Sequence, residues 1–235
     1  MELKLKFNPK LFTEAPERLA KNMRFASAVA LTRTAVEIKD REVQTMRSVF
    51  DRPTPWTLNS LGVKPATKTD LVALVRKREF GASSAGHIIG PHIEGGGSRG
   101  KRRFEQAVGG FIVPGENMPL DKYGNVKPAT YVKVLSQLKL QKDSTANASK
   151  SKRSRSKRIG ETYFRQGNII FVRTSRDRGA GSGRDNFYPA FIITRPPKYR
   201  LRFRYFETGQ KAFDELFPAQ LDRDIGQAIR DAGWK

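Results

Sequence analysis

Apolar and polar residues alternate at the start of the chain, with Leu3, Leu5 and Phe7 set against Lys4 and Lys6. A period of two puts the apolar set on one face of a strand, and Asn8-Pro9 ends it. The period then lengthens. From about Glu14 to Phe50 the spacing predicts a long helix, with Phe25, Val29, Val36, Val43 and Phe50 in one stripe and Met46 between the last two. Leu19, Met23, Ala26 and Ala30 make a neighbouring stripe. Thr13 is the expected N-cap, Glu14 and Glu17 suit the positive end of the dipole, and Pro16 is tolerated in the first turn. Such a helix can be a plain core element, or can pack on its own domain at one end and on neighbouring subunits at the other. It must stop by Asp51, because Pro53 and Pro55 disfavour the helical conformation at the residues before them.

Arg52-Pro53-Thr54-Pro55-Trp56 then reads as an extended arm ending in an aromatic anchor. A short helical turn is expected at Thr57–Leu61, extended chain at Val63–Ala66 and a strand at Leu71–Arg76. Residues 81–100, rich in Gly, read as a loop. A helix is expected to start near Ser98 and to carry Phe104, Ala107 and Val108 inward. Lys122-Tyr123-Gly124-Asn125 is a tight turn, and Ala129–Leu140 is a helix with Val132, Leu135 and Leu138 on one side. Residues 141–160 hold too little apolar surface to offset their ordering entropy and read as a flexible basic loop.

Tyr163–Arg165 and Asn168–Arg173 read as strands around a turn at Gln166-Gly167, Gly179–Gly183 as a loop, and Phe187–Thr194 as a buried strand. Tyr199, Leu201, Phe203 and Tyr205 alternate with Arg200, Arg202 and Arg204, which predicts a strand with an aromatic face and an arginine face. An amphipathic helix, interrupted or kinked at Pro218, closes the chain from about Thr208 to Ala232. The expected fold class is α+β: a long N-terminal helix, an antiparallel sheet mainly from the C-terminal third, a C-terminal amphipathic helix, and extended loops and arms. The expected organisation is an N-terminal part at 1–140, the basic loop at 141–160, and a sheet and helix at 161–235, the first and last packed as one domain.

Charge changes the picture most. The chain carries 45 Lys and Arg against 23 Asp and Glu, a formal +22 on 235 residues. Self-repulsion of this size works against a compact monomer and calls for a negative partner. Lys150, Lys152, Arg153, Arg155, Lys157 and Arg158 crowd into nine residues without an acid, and Arg102 and Arg103 belong to a second cluster. The run at 150–158 could neutralise phosphates, but without aromatic residues it makes no stacking platform. A solvated loop, or one that orders against an acidic neighbour, reads it equally. Arg200, Arg202 and Arg204 would stand about 6.8 Å apart along one strand face. They serve either as a cationic ridge or as a solvated face paired with Asp222 and Asp224.

Other chemistry is weak. With no Cys in the chain, disulfides, thiolate zinc sites and Cys nucleophiles are excluded. No apolar run approaches the roughly 20 residues of a membrane span, and the N-terminus lacks the apolar centre of a signal peptide. Gly95-Gly96-Gly97-Ser98-Arg99-Gly100-Lys101 approaches a phosphate-binding loop, but Arg102 stands where a Ser or Thr would hold magnesium. His87 and His92, five residues apart near Glu94, fall short of a convergent metal site. No catalytic, cofactor-binding or metal residue is expected, nor a membrane partner.

Several features nonetheless recur in a recognisable order. Ala-Leu-Thr-Arg-Thr-Ala at 30–35 lies on the long helix. The helix leads into Val49-Phe50-Asp51-Arg52-Pro53-Thr54-Pro55-Trp56-Thr57-Leu58-Asn59-Ser60-Leu61, with Val63–Lys68 after it. A Gly-Gly-Gly loop enters the basic Lys101–Glu105 segment, and Pro189–Ile193 precedes Pro197–Phe203 and a closing helix. This order resembles the minor tail protein Z-like, tail-completion or neck proteins of tailed bacteriophages, over residues 20–105 and 187–230. The resemblance implies a non-enzymatic structural protein of the virion, made in the host bacterial cytoplasm. It would form a ring of its own copies at the head-to-tail junction, touching portal, neck or tail proteins and the genomic DNA that passes. It makes Arg52, Pro53, Pro55 and Trp56 candidate subunit contacts. The alternative is a basic protein that contacts nucleic acid non-specifically; a nucleotide-dependent enzyme would rest on the defective glycine loop alone.

Overall fold

The computed structural model describes residues 2–8, 16–78, 86–96, 100–148, 161–174 and 186–232, with the backbone alone at 86–88 and 186. The chain is α+β, as its patterns predict, with a long N-terminal helix, antiparallel sheets and a long C-terminal helix. It forms two compact units. The first joins residues Met1–Gly97 to Tyr199–Lys235, and the second is the intervening Ser98–Lys198. The division therefore falls at 97/98 and 198/199, not at the composition change near 140–160.

In the first unit, β1 (Glu2–Lys6), α1 (Glu17–Val49), α2 (Pro55–Leu58), β2 (Leu61–Lys64), β3 (Val72–Lys77) and α3 (Gly86–Glu94) precede the C-terminal helix α6 (Tyr205–Asp231), which is numbered after the second unit's helices. The strands pair antiparallel in the order β1-β3-β2. Leu3 and Leu5 on β1 and Ala73 and Val75 on β3 turn inward, as the period of two requires. The core they enter is completed by Leu31, Ile38 and Met46 of α1 and by Phe203, Tyr205 and Phe217. Each large apolar side chain buried there contributes roughly 1.5–3 kcal/mol.

The buried face of α1 keeps Ala26 and Ala30 of the second expected stripe and Met46, but not the N-terminal part of the first stripe. Ala26, Ala30, Thr34, Ile38, Glu42 and Met46, four residues apart, are buried, whereas Phe25 is 62% exposed and Val36 41%. Small residues let α6 approach closely, and Gly209 continues that logic, since a Cβ there would run into Leu3 Cδ2. The helices run antiparallel. Arg33 pairs with Asp224 at 2.6 Å, Gln220 donates to Glu37 at 2.9 Å, and Arg41 pairs with Glu215 at 3.0 Å. The expected cap Thr13 lies outside the described residues; Pro16 occupies the N-cap position.

Two further expectations are corrected. Gly86–Glu94, expected as loop, is helical despite Pro91. Ile89 and Ile93, one turn apart, are buried and offset the breakers. Residues 199–204, expected as a strand, are not one. The His92 carbonyl accepts from the Arg202 and Phe203 amides at 2.9 and 3.1 Å, so this segment spends its backbone donors on α3 rather than on a ladder. Tyr205, expected as its last strand residue, opens α6.

The second unit contains α4 (Arg103–Val108), β4 (Phe111–Pro114), α5 (Pro128–Leu138), β5 (Glu161–Gln166), β6 (Ile169–Thr174) and β7 (Asn186–Thr194). Its four antiparallel strands lie in the order β4-β7-β6-β5. The helix expected from Ser98 starts at Arg103, because the Glu105 carboxylate takes the Arg102 amide at 2.8 Å and fixes the first turn there. Gly109, at φ +84°, ends it. The β5–β6 turn is Gly167-Asn168, one residue later than expected. Between β6 and β7 the register slips from Ile170↔Phe191 to Phe171↔Pro189. The extra residue, Ala190, accommodates a proline that has no ladder donor to give. Phe104, Val134, Leu135, Tyr163, Ile170 and Phe191 form this unit's core.

Candidate interaction surfaces

The arm after α1 is built by a forced turn. The Phe50 amide still reaches the Met46 carbonyl at 3.0 Å, and then Arg52 adopts φ +45°, a left-handed conformation rare outside glycine. Its guanidinium lies 3.2 Å from the Asp51 carboxylate. Thr54 Oγ1 accepts from the Thr57 amide at 3.2 Å and caps α2, with Pro55 in its first turn. Pro53 is half-buried and Pro55 exposed. Trp56, expected to anchor the arm, is 46% exposed; the buried anchor is Leu58. The arm thus presents its indole outward.

A groove of about 460 Å³ runs beside α1, lined by Phe25, Ala28, Val29, Thr32, Ala66 and Lys68 among others. Thr32 Oγ1 sets its far wall. It donates to the Ala28 carbonyl at 2.8 Å and accepts the Ala66 amide at 3.1 Å. Phe25 therefore stands at the rim of an apolar depression rather than in a core.

The expected cationic residues fall into three environments. Arg200, Arg202 and Arg204 are exposed, but they lie along a segment that is not a strand, so the ridge expected on a strand face is not formed. Arg204 pairs with Glu207 at 3.1 Å, and Asp224 is taken by Arg33 instead of by this segment. Arg102 and Arg103 are exposed at the edge of a second-unit cleft of about 420 Å³ whose floor includes Phe104, Ile112, Tyr131 and Leu135. Lys150, Lys152, Arg153, Arg155, Lys157 and Arg158 lie outside the described residues, as do Gly97–Arg99 of the glycine loop and Gly179–Gly183.

The four-stranded sheet carries a surface that sequence reasoning missed. Tyr163, Ile170 and Val172 face the core, so strand alternation turns Phe164 and Phe171 to the opposite face. Phe187, four residues before the inward Phe191, joins them because the extra residue at Ala190 shifts the alternation and pairs Phe187 with Arg173. Their rings meet there: Phe164 stacks on Phe171 at 5.5 Å, and Phe187 meets Phe171 edge-on at 5.8 Å. The Arg173 guanidinium lies over Phe164 at 5.7 Å. Phe187 is 58% exposed, and Val113 and Ile192, cross-strand partners beside the cluster, are exposed too. β5, β6 and β7 contribute one phenylalanine each, so only the register reveals the cluster.

Two titratable groups sit in apolar surroundings. Both Glu42 carboxyl oxygens are buried without a hydrogen-bond partner, and burial pushes its pKa up to about 8. Burial, and secondly the nearby Arg202 charge, hold His92 below its usual range. His92 also stacks edge-on between Phe50 and Tyr199, at 5.1 and 4.8 Å. Among the described residues no cluster of three or more acids or histidines could hold a metal ion, and no helix is long and apolar enough to cross a membrane. The chain matches no protein-family model, no curated protein and no solved structure.

Proposed function

We propose that this chain is a structural, non-enzymatic virion protein of a tailed bacteriophage. It occupies the head-to-tail junction as a tail-completion, neck or adaptor ring that links portal and tail. The reading rests on the ordered motifs described above, above all the helix that runs straight into Arg52-Pro53-Thr54-Pro55-Trp56. The observation that best supports it is the outward display of Phe25, Val36 and Trp56 along α1 and the arm that follows it. A neighbouring copy, or a portal or tail subunit, would bury such residues, since Phe25 continues into an apolar groove and contiguous exposed apolar surface marks interaction sites. The formal +22 fits acidic neighbouring subunits, with genomic DNA as a further contact.

The test is association. The purified chain is mixed with portal rings and tails from the phage whose genome encodes it, and the complexes are imaged by negative-stain electron microscopy. Rings seated at the junction support the reading. A chain that never joins these particles, and is absent from purified virions by mass spectrometry, overturns it.

A further inference from the structure

We propose that the outer face of the four-stranded sheet, centred on Phe164, Phe171 and Phe187, binds single-stranded nucleic acid by stacking bases on the phenylalanine rings. The inference does not need the virion reading, because it rests on the second unit alone.

The cluster is positioned for this. Three rings from three adjacent strands lie within 6.4 Å of one another by centroid, and Phe187 offers more than half its surface. Arg173 is the cation among them, and Glu161, the only acid on β5, β6 or β7, lies on the opposite face, bonded to Lys133 at 3.1 Å and to the Tyr163 hydroxyl at 3.0 Å. Within β5, β6 and β7 this face therefore presents three aromatic rings beside one arginine, on a chain of formal charge +22.

The occupant follows from that chemistry. A second copy seated face to face on this sheet would set its own Arg173 against this one. An acidic protein surface would set carboxylates against phenylalanine and desolvate them without partners. Single-stranded nucleic acid supplies both requirements at once: every base has a face that stacks on an aromatic ring, and its phosphates answer the surrounding charge. A duplex keeps its bases stacked inside and has none to offer. The edge strand β4 does not invite β-pairing by a peptide instead. Pro114 has no amide hydrogen, and the outward Ile112 amide is directed to Glu105 Oε1 at 3.5 Å.

The probe is a fluorescein-labelled twelve-nucleotide oligothymidylate, read by fluorescence anisotropy on the full chain. A twelve-unit abasic strand of equal charge and a twelve-base-pair duplex serve as comparisons. The oligothymidylate is expected to bind at least tenfold tighter than the abasic strand. Phe187→Leu should weaken it about 5- to 100-fold and leave abasic binding unchanged, while Phe187→Trp restores or strengthens it. Circular dichroism spectra matching the unsubstituted chain certify each fold, and the exposure of Phe187 makes both variants tolerable. Equal binding of the abasic strand, or no loss in Phe187→Leu, means diffuse charge and overturns the proposal. So does a preference for the duplex. An oligomer of the unsubstituted chain that Phe187→Asp dissolves, without oligothymidylate binding, gives the face to a second copy and overturns it too.

Discussion

The Tyr205 hydroxyl donates a 2.7 Å hydrogen bond to the Val75 carbonyl, tying the first residue of α6 to the central strand of the first sheet. Both residues are fully buried, so the bond forms where no water can replace it. Tyr205→Phe keeps the ring and removes the donor. It is expected to lower stability by about 1 kcal/mol, read as a lower urea midpoint with an unchanged slope.

Glu42 makes stability depend on pH with an unusual sign. Its folded pKa, about 8, lies above the ordinary 4.5, so between these values the folded chain holds a proton that the unfolded chain has lost. Stability then falls as pH rises from about 4.5 to 8 and levels off beyond. His92, lowered in the fold, acts in the opposite direction below its ordinary 6.5. Glu42→Gln should therefore flatten the decline without touching the histidine's contribution. Urea midpoints of both chains from pH 5 to 9 give the comparison, and parallel curves would mean that Glu42 is not the source.

Gly115 sits at a close backbone approach in the second unit. Its amide reaches the Ala190 carbonyl at 2.9 Å, at the register slip of β7, and a Cβ on it would run into the Pro189 carbonyl oxygen. A carbonyl in a paired strand cannot swing away as a side chain can. Gly115→Ala is expected to cost about 1–3 kcal/mol, whereas alanine at Gly100, with nothing near its Cβ position, should be tolerated. Thermal melts of the two variants separate these outcomes.

Phe25 and Trp56 should matter to assembly and not to folding. Both are largely exposed, so Phe25→Asp and Trp56→Asp are expected to leave the melting temperature within a few degrees of the parent. Each should reduce association with portal or tail particles at least tenfold in a pull-down. Undiminished association would remove the arm and the α1 face from the contact surface.

The end of α1 was legible because prolines act locally: Pro53 and Pro55 constrain the residue before each, whatever surrounds them. Its buried face was legible in part: Ala26 and Ala30 of the second stripe and Met46 are buried, and Val43 and Phe50 pack against the core. But Phe25 and Val36 are exposed, and Thr34 and Ile38 take the packed face, chosen by how closely α6 can approach. Apolarity measures the gain from burial, not the room available. The alternation at Tyr199–Tyr205 misled for a related reason. Phe203 and Tyr205 are buried as a strand face would require, but Leu201 is 51% exposed and the backbone donors go to His92. A strand needs a neighbour with a free edge, and periodicity does not supply one. Of the candidate surfaces, the arm and the arginines were visible as residues. The phenylalanine platform was not, since Phe164, Phe171 and Phe187 become neighbours only through strand register.

The Gly96 amide meets the Tyr199 carbonyl at 2.8 Å, on the two sides of the point where the chain leaves the first unit and returns to it. Together with the Arg202 and Phe203 amides on the His92 carbonyl, this bond ties the departing and returning stretches of chain to each other. Each doubling of the excursion's length adds only about 0.6 kcal/mol to the entropy of closing it. A lineage could lengthen, shorten or replace Ser98–Lys198 while α1, α6 and the first sheet keep their own register, and a melt of the full chain is free to proceed in two steps rather than one.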